Sequence, residues 1–139
     1  MAQIIQEVMT PNPIVVPATA SIIDAARAMR DGNVGDVLVE RDGALCGIVT
    51  DRDIVVRAVA EGRAPADVRL GDICSNGLTS MAPTDSVDDA VQLMRTNALR
   101  RLPVCDDGRA VGIVSLGDLA IDRDSQSALA DISAAPPNN

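Results

Sequence analysis

The chain has no aromatic residue: none of its 139 residues is Phe, Tyr or Trp, although 47% are hydrophobic. Its core must therefore consist of Val, Ile, Leu, Met and Ala, and a planar ligand would lie between aliphatic side chains. His and Lys are absent as well. General acid–base and nucleophilic catalysis would depend on carboxylates and weakly acidic thiols alone, and this inventory argues against an enzyme.

Cysteine is scarce, and its three positions, Cys46, Cys74 and Cys105, show no CxxC spacing. Without His, this set does not supply the ligands of a zinc site. An odd number of cysteines does not suit a secreted disulfide framework and favours a reducing compartment. The sequence also shows no signal-peptide pattern and no hydrophobic run of membrane-spanning length. We therefore expect a soluble, cytoplasmic protein without a metal or cofactor.

The sequence also has few positively charged residues. It contains 12 basic residues, all of them Arg, against 20 Asp and Glu, and its formal net charge is −8. An acidic surface disfavours nucleic acid polymers and anionic membranes as partners. A local cluster of arginines could still bind a small phosphate.

What the chain does contain is an internal repeat, because residues 8–54 and 73–119 align without a gap. Ser21 matches Ser86 and Asp53 matches Asp118, both at an offset of 65 positions (86 − 21 and 118 − 53). A unit of this length is too small to be a stable independent domain. Two copies therefore predict one α/β (α+β) globule of two pseudo-twofold-related halves that cover each other.

Each copy is predicted to contain a strand, a helix, two strands and a second helix. The first copy is expected to provide strands over 14–16, 37–39 and 45–49 and helices over 21–30 and 50–60. Gly32 is expected to end the first helix. The pairs Asp42-Gly43 and Asp107-Gly108 are tight hairpin signals between the two later strands of each copy.

The chain divides into three predicted spans. The first repeat with its linker is expected over 1–70, with its core at 8–60, and the second repeat over 71–124. Segment 62–71 contains Gly, Ala and Pro and is interpreted as the linker between the copies. The remaining residues, 125–139, are expected to be a disordered tail.

Four Ser/Thr-x-x-Asp pairs stand at predicted helix starts: Ser21/Asp24, Thr50/Asp53, Ser86/Asp89 and Ser115/Asp118. A capping box explains the first and third pairs. The second and fourth follow Gly-Ile-Val at the end of a strand, where helix amides also favour a bound anion. The hydroxyl can hold a phosphate oxygen and the carboxylate can accept both hydroxyls of a ribose. Spacing alone leaves capping and ligand binding equally open.

Four sequence motifs resemble paired CBS domains, the Bateman module. They are Val-Met-Thr-Pro at 8–11, Gly-Ile-Val-Thr-Asp-Arg-Asp-Ile at 47–54, Arg-Arg-Leu-Pro-Val at 100–104 and Gly-Ile-Val-Ser-Leu-Gly-Asp-Leu at 112–119. The resemblance covers about residues 5–124 and extends to stand-alone bacterial two-CBS proteins of the hypoxic response type. It implies tandem β-α-β-β-α units packed sheet to sheet.

The same resemblance implies a non-catalytic regulatory module that senses an adenosine nucleotide, such as AMP, ADP or ATP, in two clefts. One cleft would contain Ser115, Asp118, Thr10, Ile14, Val34 and Gly35. The other would contain Thr50, Asp53, Ser75, Leu78 and Leu99. The aspartates would hold the riboses and the hydroxyls the phosphates or sugar. Arg100 and Arg101 match family positions that neutralise phosphate, and their alternative interpretation is as solvated surface arginines.

The two copies differ where the phosphate would bind, because Gly35-Asp36 stands in place of Arg100-Arg101. We therefore expect unequal occupancy of the clefts. The resemblance also implies a homodimer, for which Val55, Val56 and Val59 are candidate contacts, and an unidentified regulated protein as a further partner. The alternative function is an interaction or scaffold dimer with vestigial, ligand-free clefts.

Overall fold

A computed structural model describes residues 4–74 and 78–123, together with residues 132, 134 and 135. The chain forms two compact units. One, the N-unit, is Pro13–Leu78, and the other, the C-unit, combines the segment up to Asn12 with the chain from Thr79. The expected mixed α/β class is confirmed, since each unit has a three-stranded sheet accompanied by helices.

The described residues contain six strands: β1 Thr10–Pro11, β2 Val15–Pro17, β3 Asp36–Arg41, β4 Ala44–Thr50, β5 Arg101–Asp106 and β6 Arg109–Ser115. Their α-helices are α1 Ile22–Gly32, α2 Asp51–Ile54, α3 Leu70–Ile73, α4 Val87–Asn97 and α5 Leu116–Arg123. A π-helical segment, Val55–Val59, continues α2, and 3-10 turns occupy Ile5–Glu7 and Pro65–Asp67.

Each sheet is built around one hairpin. The N-unit has the order β2-β3-β4, with β2 parallel to β3, and the C-unit has the antiparallel order β1-β6-β5. Both predicted hairpin turns are confirmed: Asp42 and Gly43 have φ angles of 54° and 80°, and Asp107 and Gly108 have 53° and 80°. Two consecutive positive φ angles suit the tight turn that the strand twist favours.

Helix α1 begins as predicted, because Ser21 Oγ accepts from the Asp24 amide and Asp24 Oδ2 accepts from the Ser21 amide, both at 3.3 Å. Its end also agrees with the prediction. Gly32 is the last helical residue, and the left-handed residue is Asn33, with φ 57°. A Cβ at Gly32 would stand 2.6 Å from Ile14 Cδ1, the terminal methyl of a side chain that can move aside.

The second helix of the first copy is less regular than predicted. After one turn of α2 the hydrogen-bonding pattern changes, and Ala60 donates to the carbonyl of Val55 at 2.8 Å across the π-helical segment. This segment exposes Val55 by 57% and Val59 by 56%, while Ala58 is fully buried. The exposed valines make this segment a candidate contact surface.

The predicted linker is part of the N-unit core. Val68 is 1% exposed and Leu70 is fully buried. The Leu70 amide donates to Ala20 O at 2.9 Å, and the Ile22 amide donates to Val68 O at 3.1 Å. Segment 62–71 therefore does more than connect the copies. The predicted tail, 125–139, falls almost entirely outside the described residues.

The segments at the start of the two repeats are exchanged between the units. Residues 4–12, at the start of the first repeat, belong to the C-unit: Ile4 forms a bridge with Ser86, and Ile5 is fully buried in the C-unit core. Arg69, which precedes the second repeat, forms a bridge with Ser21 in the N-unit. The compact units therefore differ at their ends from the spans 1–70 and 71–124.

Candidate functional site

The two Ser/Thr-x-x-Asp pairs that follow Gly-Ile-Val form the same capping geometry, one in each unit. In the C-unit, the Ser115 amide donates to Asp118 Oδ2 at 2.9 Å and the Asp118 amide donates to Ser115 Oγ at 3.1 Å. Thr50 and Asp53 repeat both bonds at 2.9 and 3.1 Å in the N-unit. All four side chains are partly buried where a strand runs directly into a helix. Each capping box uses only one carboxylate oxygen, so capping and ligand binding are compatible.

The C-unit pair borders a hollow of about 400 Å³. Its lining consists of Arg100, Arg101, Ser115, Leu116, Gly117 and Asp118. The Leu116 amide donates to Arg100 O at 2.9 Å, which fixes the start of β5 beside the start of α5. Within the described part of the chain, Asp118 Oδ1 and the Arg100 guanidinium have no hydrogen-bond or ion-pair partner. Two arginines and the capping aspartate thus border one polar hollow.

The corresponding place in the N-unit has the opposite charge balance. Gly35 and Asp36 replace the two arginines, and the carboxylate of Asp51 lies against Gly35, 3.2 Å from where a Cβ would stand. Asp36, Asp51 and Asp53 thus supply three carboxylates here, and Asp53 forms an ion pair with Arg57. A phosphate would be repelled by this arrangement.

Asp53 also differs from Asp118 in the contacts of its second oxygen. Asp53 Oδ1 lies 3.6 Å from Nε of Arg57, one helical turn away. Arg57 is held a second time, because its Nη1 donates to Ile73 O at 3.1 Å. The sequence prediction missed this contact, although the i, i+4 spacing of an acid and a base is a signal for it.

The other predicted site residues divide between the units. Thr10 belongs to the C-unit with Ser115 and Asp118, and it pairs with Ile113 two residues before Ser115. Leu99 is also in the C-unit, whereas Ile14, Val34, Gly35 and Leu78 are in the N-unit. Ser75 lies outside the described residues. The ligand-binding role assigned to these residues stays a prediction.

A second, apolar hollow in the C-unit was not anticipated. It measures about 370 Å³ and is lined by Val91, Met94, Arg95, Leu99, Leu116, Leu119 and Ala120. Leu116 borders both hollows and is 46% exposed. The spacing of Val91, Met94 and Arg95 on α4 marks a helix face, but it does not distinguish a core face from an open one.

The environments of Cys74 and Cys105 disfavour the reactive thiolate form. Burial raises the pKa of the Cys74 thiol, and the neighbouring Cys46 raises this pKa further. Burial also raises the pKa of Cys105, while a hydrogen bond with Ser80 opposes the shift. The cause of the raised pKa of Cys105 is burial rather than the carboxylates of Asp106 and Asp107, which follow it in the chain.

Neither a metal cluster nor a membrane helix occurs in the part of the chain that the structure describes. No three His, Cys, Asp or Glu side chains there are placed to share a metal ion. No helix among those residues is long and apolar enough to cross a membrane.

The duplicated strand-to-helix junctions and the two sheets define the class of protein, and the chain belongs to the CBS domain family. The family model for the CBS domain matches residues 5–59 and 70–121, so the predicted resemblance is confirmed. Among its relatives, CBS domain-containing protein YhcV of Bacillus subtilis is 40% identical over 133 residues, covering 93% of this chain and 94% of that protein.

Two solved structures illustrate the range of its structural relatives. Hypoxic response protein I, crystallised with two coordinated zinc ions, matches with a TM-score of 0.77 and 28% identity over 84% of this chain and 96% of that chain. A hexameric CBS-CP12 protein from bloom-forming cyanobacteria matches with a TM-score of 0.76 and 29% identity, covering 91% and 72% of the two chains. The described residues of this chain offer no comparable zinc cluster.

Proposed function

We propose that this CBS pair is a non-catalytic, cytoplasmic regulatory module that senses an adenosine nucleotide, and that its phosphate-binding site is the Ser115–Asp118 junction of the C-unit. One observation carries the proposal: Arg100, Arg101 and Asp118 line the same hollow. Guanidinium groups bind phosphate oxygens through charge-assisted hydrogen bonds. Asp118 Oδ1, which has no partner among the described residues, supplies an acceptor for the sugar hydroxyls.

Ser115 complements these groups. Its oxygen accepts the Asp118 amide, which leaves its own O–H available as a donor to a phosphate oxygen. The first amides of α5 add partial positive charge on the same side. A ligand held by both the strand end and the helix start would favour one conformation of the pair and so signal to a partner.

The N-unit junction is proposed to take an uncharged nucleoside portion or no ligand. Asp36 and Asp51 add negative charge beside Asp53, where the C-unit has arginines. The two sites of one chain would then respond to different ligands, which supports unequal occupancy.

Titration calorimetry with AMP, adenosine and inorganic phosphate tests the proposal. We expect AMP to bind more tightly than either of the others. Arg100→Gln combined with Arg101→Gln should weaken AMP binding and leave adenosine binding unchanged. Asp118→Asn should weaken the binding of both ligands. Asp89→Asn is the matched control, because Asp89 occupies the same position after Ser86 at the start of α4. No binding of AMP, ADP or ATP would overturn the proposal.

A second candidate function is assembly, with the module acting as a homodimer or scaffold. The observation that favours it is the exposure of Val55 and Val59 on the π-helical segment. A structural relative of this chain is described as a hexamer. Sedimentation velocity at several concentrations distinguishes this function, because a scaffold would assemble without any nucleotide.

A further inference from the structure

The carboxylate of Asp53 is fully engaged inside its own unit. Oδ2 accepts the Thr50 amide at 2.9 Å, and Oδ1 faces Arg57 Nε at 3.6 Å. The Asp53 side chain is only 15% exposed, while that of Arg57 is 51% exposed. Both oxygens that a sugar would approach therefore already have partners.

Arg57 is anchored at two points, which distinguishes it from an ordinary surface arginine. Its Nη1 donates to the carbonyl oxygen of Ile73 at the end of α3, 16 positions further along the chain. A guanidinium that is fixed at a second site loses little further freedom when it pairs with a carboxylate. The contact with Asp53 is therefore built into the fold of the N-unit.

The repeat offers a natural comparison. The offset of 65 positions places Asp122 where the first copy has Arg57 (122 − 57), so no cation follows Asp118 by one helical turn. Asp118 Oδ1 has no hydrogen-bond partner within the described residues. The two capping aspartates are thus alike in their first oxygen and differ in the second.

We propose that Arg57 is a specificity-determining residue that closes the Asp53 junction to a ribose diol by occupying the carboxylate oxygen that the diol needs. At rest, the Asp118 junction is the more receptive of the two. The inference depends on the proposed function, since it concerns the same class of ligand. Arg57 would make the two junctions unequal in ribose binding, independently of the charges around the phosphate.

The expected effect is moderate, because a half-exposed ion pair is weak and screened by solvent. Removing such a competitor should tighten binding at the Asp53 junction about fivefold. Salt screens the ion pair between Arg57 and Asp53. High salt should therefore tighten adenosine binding at the Asp53 junction in the wild-type chain but not in Arg57→Gln.

The experiment is a calorimetric titration of the full chain with adenosine, which carries no phosphate charge. The wild-type chain should show one tighter and one weaker site, and Arg57→Gln should tighten only the weaker one. Arg57→Gln combined with Asp53→Asn should lose the gain. Arg52→Gln is the matched control, since Arg52 is exposed on the same helix and its guanidinium has no partner among the described residues.

The outcomes separate the two proposals. If neither the wild-type chain nor Arg57→Gln binds adenosine or AMP, both the proposed function and this inference are wrong. If AMP binds and Arg57→Gln leaves the weaker site unchanged, this inference alone is overturned. A gain with Arg52→Gln of equal size would also overturn it, because a general change in charge would then explain the effect.

Discussion

The carbonyl oxygen of Thr10 lies 2.9 Å from the position that a Cβ atom on Gly112 would occupy, and Met9 Sδ lies 2.5 Å from it. Strand β1 can therefore approach its partner β6 this closely only because residue 112 has no side chain. Main-chain atoms cannot move aside as the end of a side chain can. This contact joins the start of the first repeat to strand β6, which ends at Ser115.

Gly112→Ala should accordingly destabilise the chain by about 1–3 kcal/mol, the usual cost of overpacking. Gly32→Ala is the control, because there only the terminal methyl of Ile14 must move and the helix gains from alanine. Urea unfolding followed by circular dichroism measures both, since the chain has no Tyr or Trp. Equal stability of Gly112→Ala and wild type would contradict the packing argument.

Ser115→Ala and Ser86→Ala should separate capping from ligand binding. Each removes an oxygen that accepts a helix amide, at 3.1 Å for Ser115 and 3.0 Å for Ser86, and each should cost about 1 kcal/mol of stability. Only Ser115→Ala should also weaken AMP binding, by about tenfold for a lost hydrogen bond to a charged group. Equal AMP affinity in the two variants would restrict Ser115 to capping.

Salt should affect AMP and adenosine differently at the Ser115–Asp118 junction. Raising ionic strength from about 0.01 to 1 M shortens the Debye length from about 30 to 3 Å, which screens the attraction between phosphate and Arg100 and Arg101. AMP affinity at this junction should fall while adenosine affinity there remains constant. Arg100→Gln with Arg101→Gln should remove the difference between the two ligands, and a persistent difference would show that other groups hold the phosphate.

Stability should decrease at alkaline pH because of Cys74. Burial raises the pKa of this thiol above 9.0 in the folded chain, so the unfolded chain loses its proton first. The stabilisation is complete below the unfolded pKa and is lost as pH rises through the folded pKa. Cys74→Ala should lessen the decline in unfolding free energy above about pH 9, and Cys105 should account for part of the remainder. An identical pH profile for Cys74→Ala would refute the assignment.

The exposed valines provide a test of assembly. Val55→Glu with Val59→Glu places two charges on the apolar surface of the π-helical segment, and a dimer that uses this surface should dissociate. Ala60→Glu adds a charge at the adjacent exposed position as the control. Sedimentation velocity would show the change in mass. An unaltered oligomer would show that this surface is not the dimer contact.

Local features were predictable from sequence because neighbouring residues determine them. The Asp42-Gly43 hairpin and the Ser21 capping box depend only on residues within a few positions, and both are confirmed. The contact of Arg57 with Ile73 and the burial of Leu70 depend on distant parts of the chain that periodicity does not relate. The charge difference between Arg100-Arg101 and Gly35-Asp36 was visible only because the repeat supplies an internal alignment.

The exchanged segments have a consequence for cutting this protein in two. A break in the exposed stretch at residues 62–64 leaves Ile5 on one fragment and the sheet that buries it on the other, while Leu70 is separated from its own sheet in the same way. Neither fragment can complete a hydrophobic core by itself. When the two fragments are mixed, they should restore both cores. Each half of the chain therefore depends on the other in order to fold.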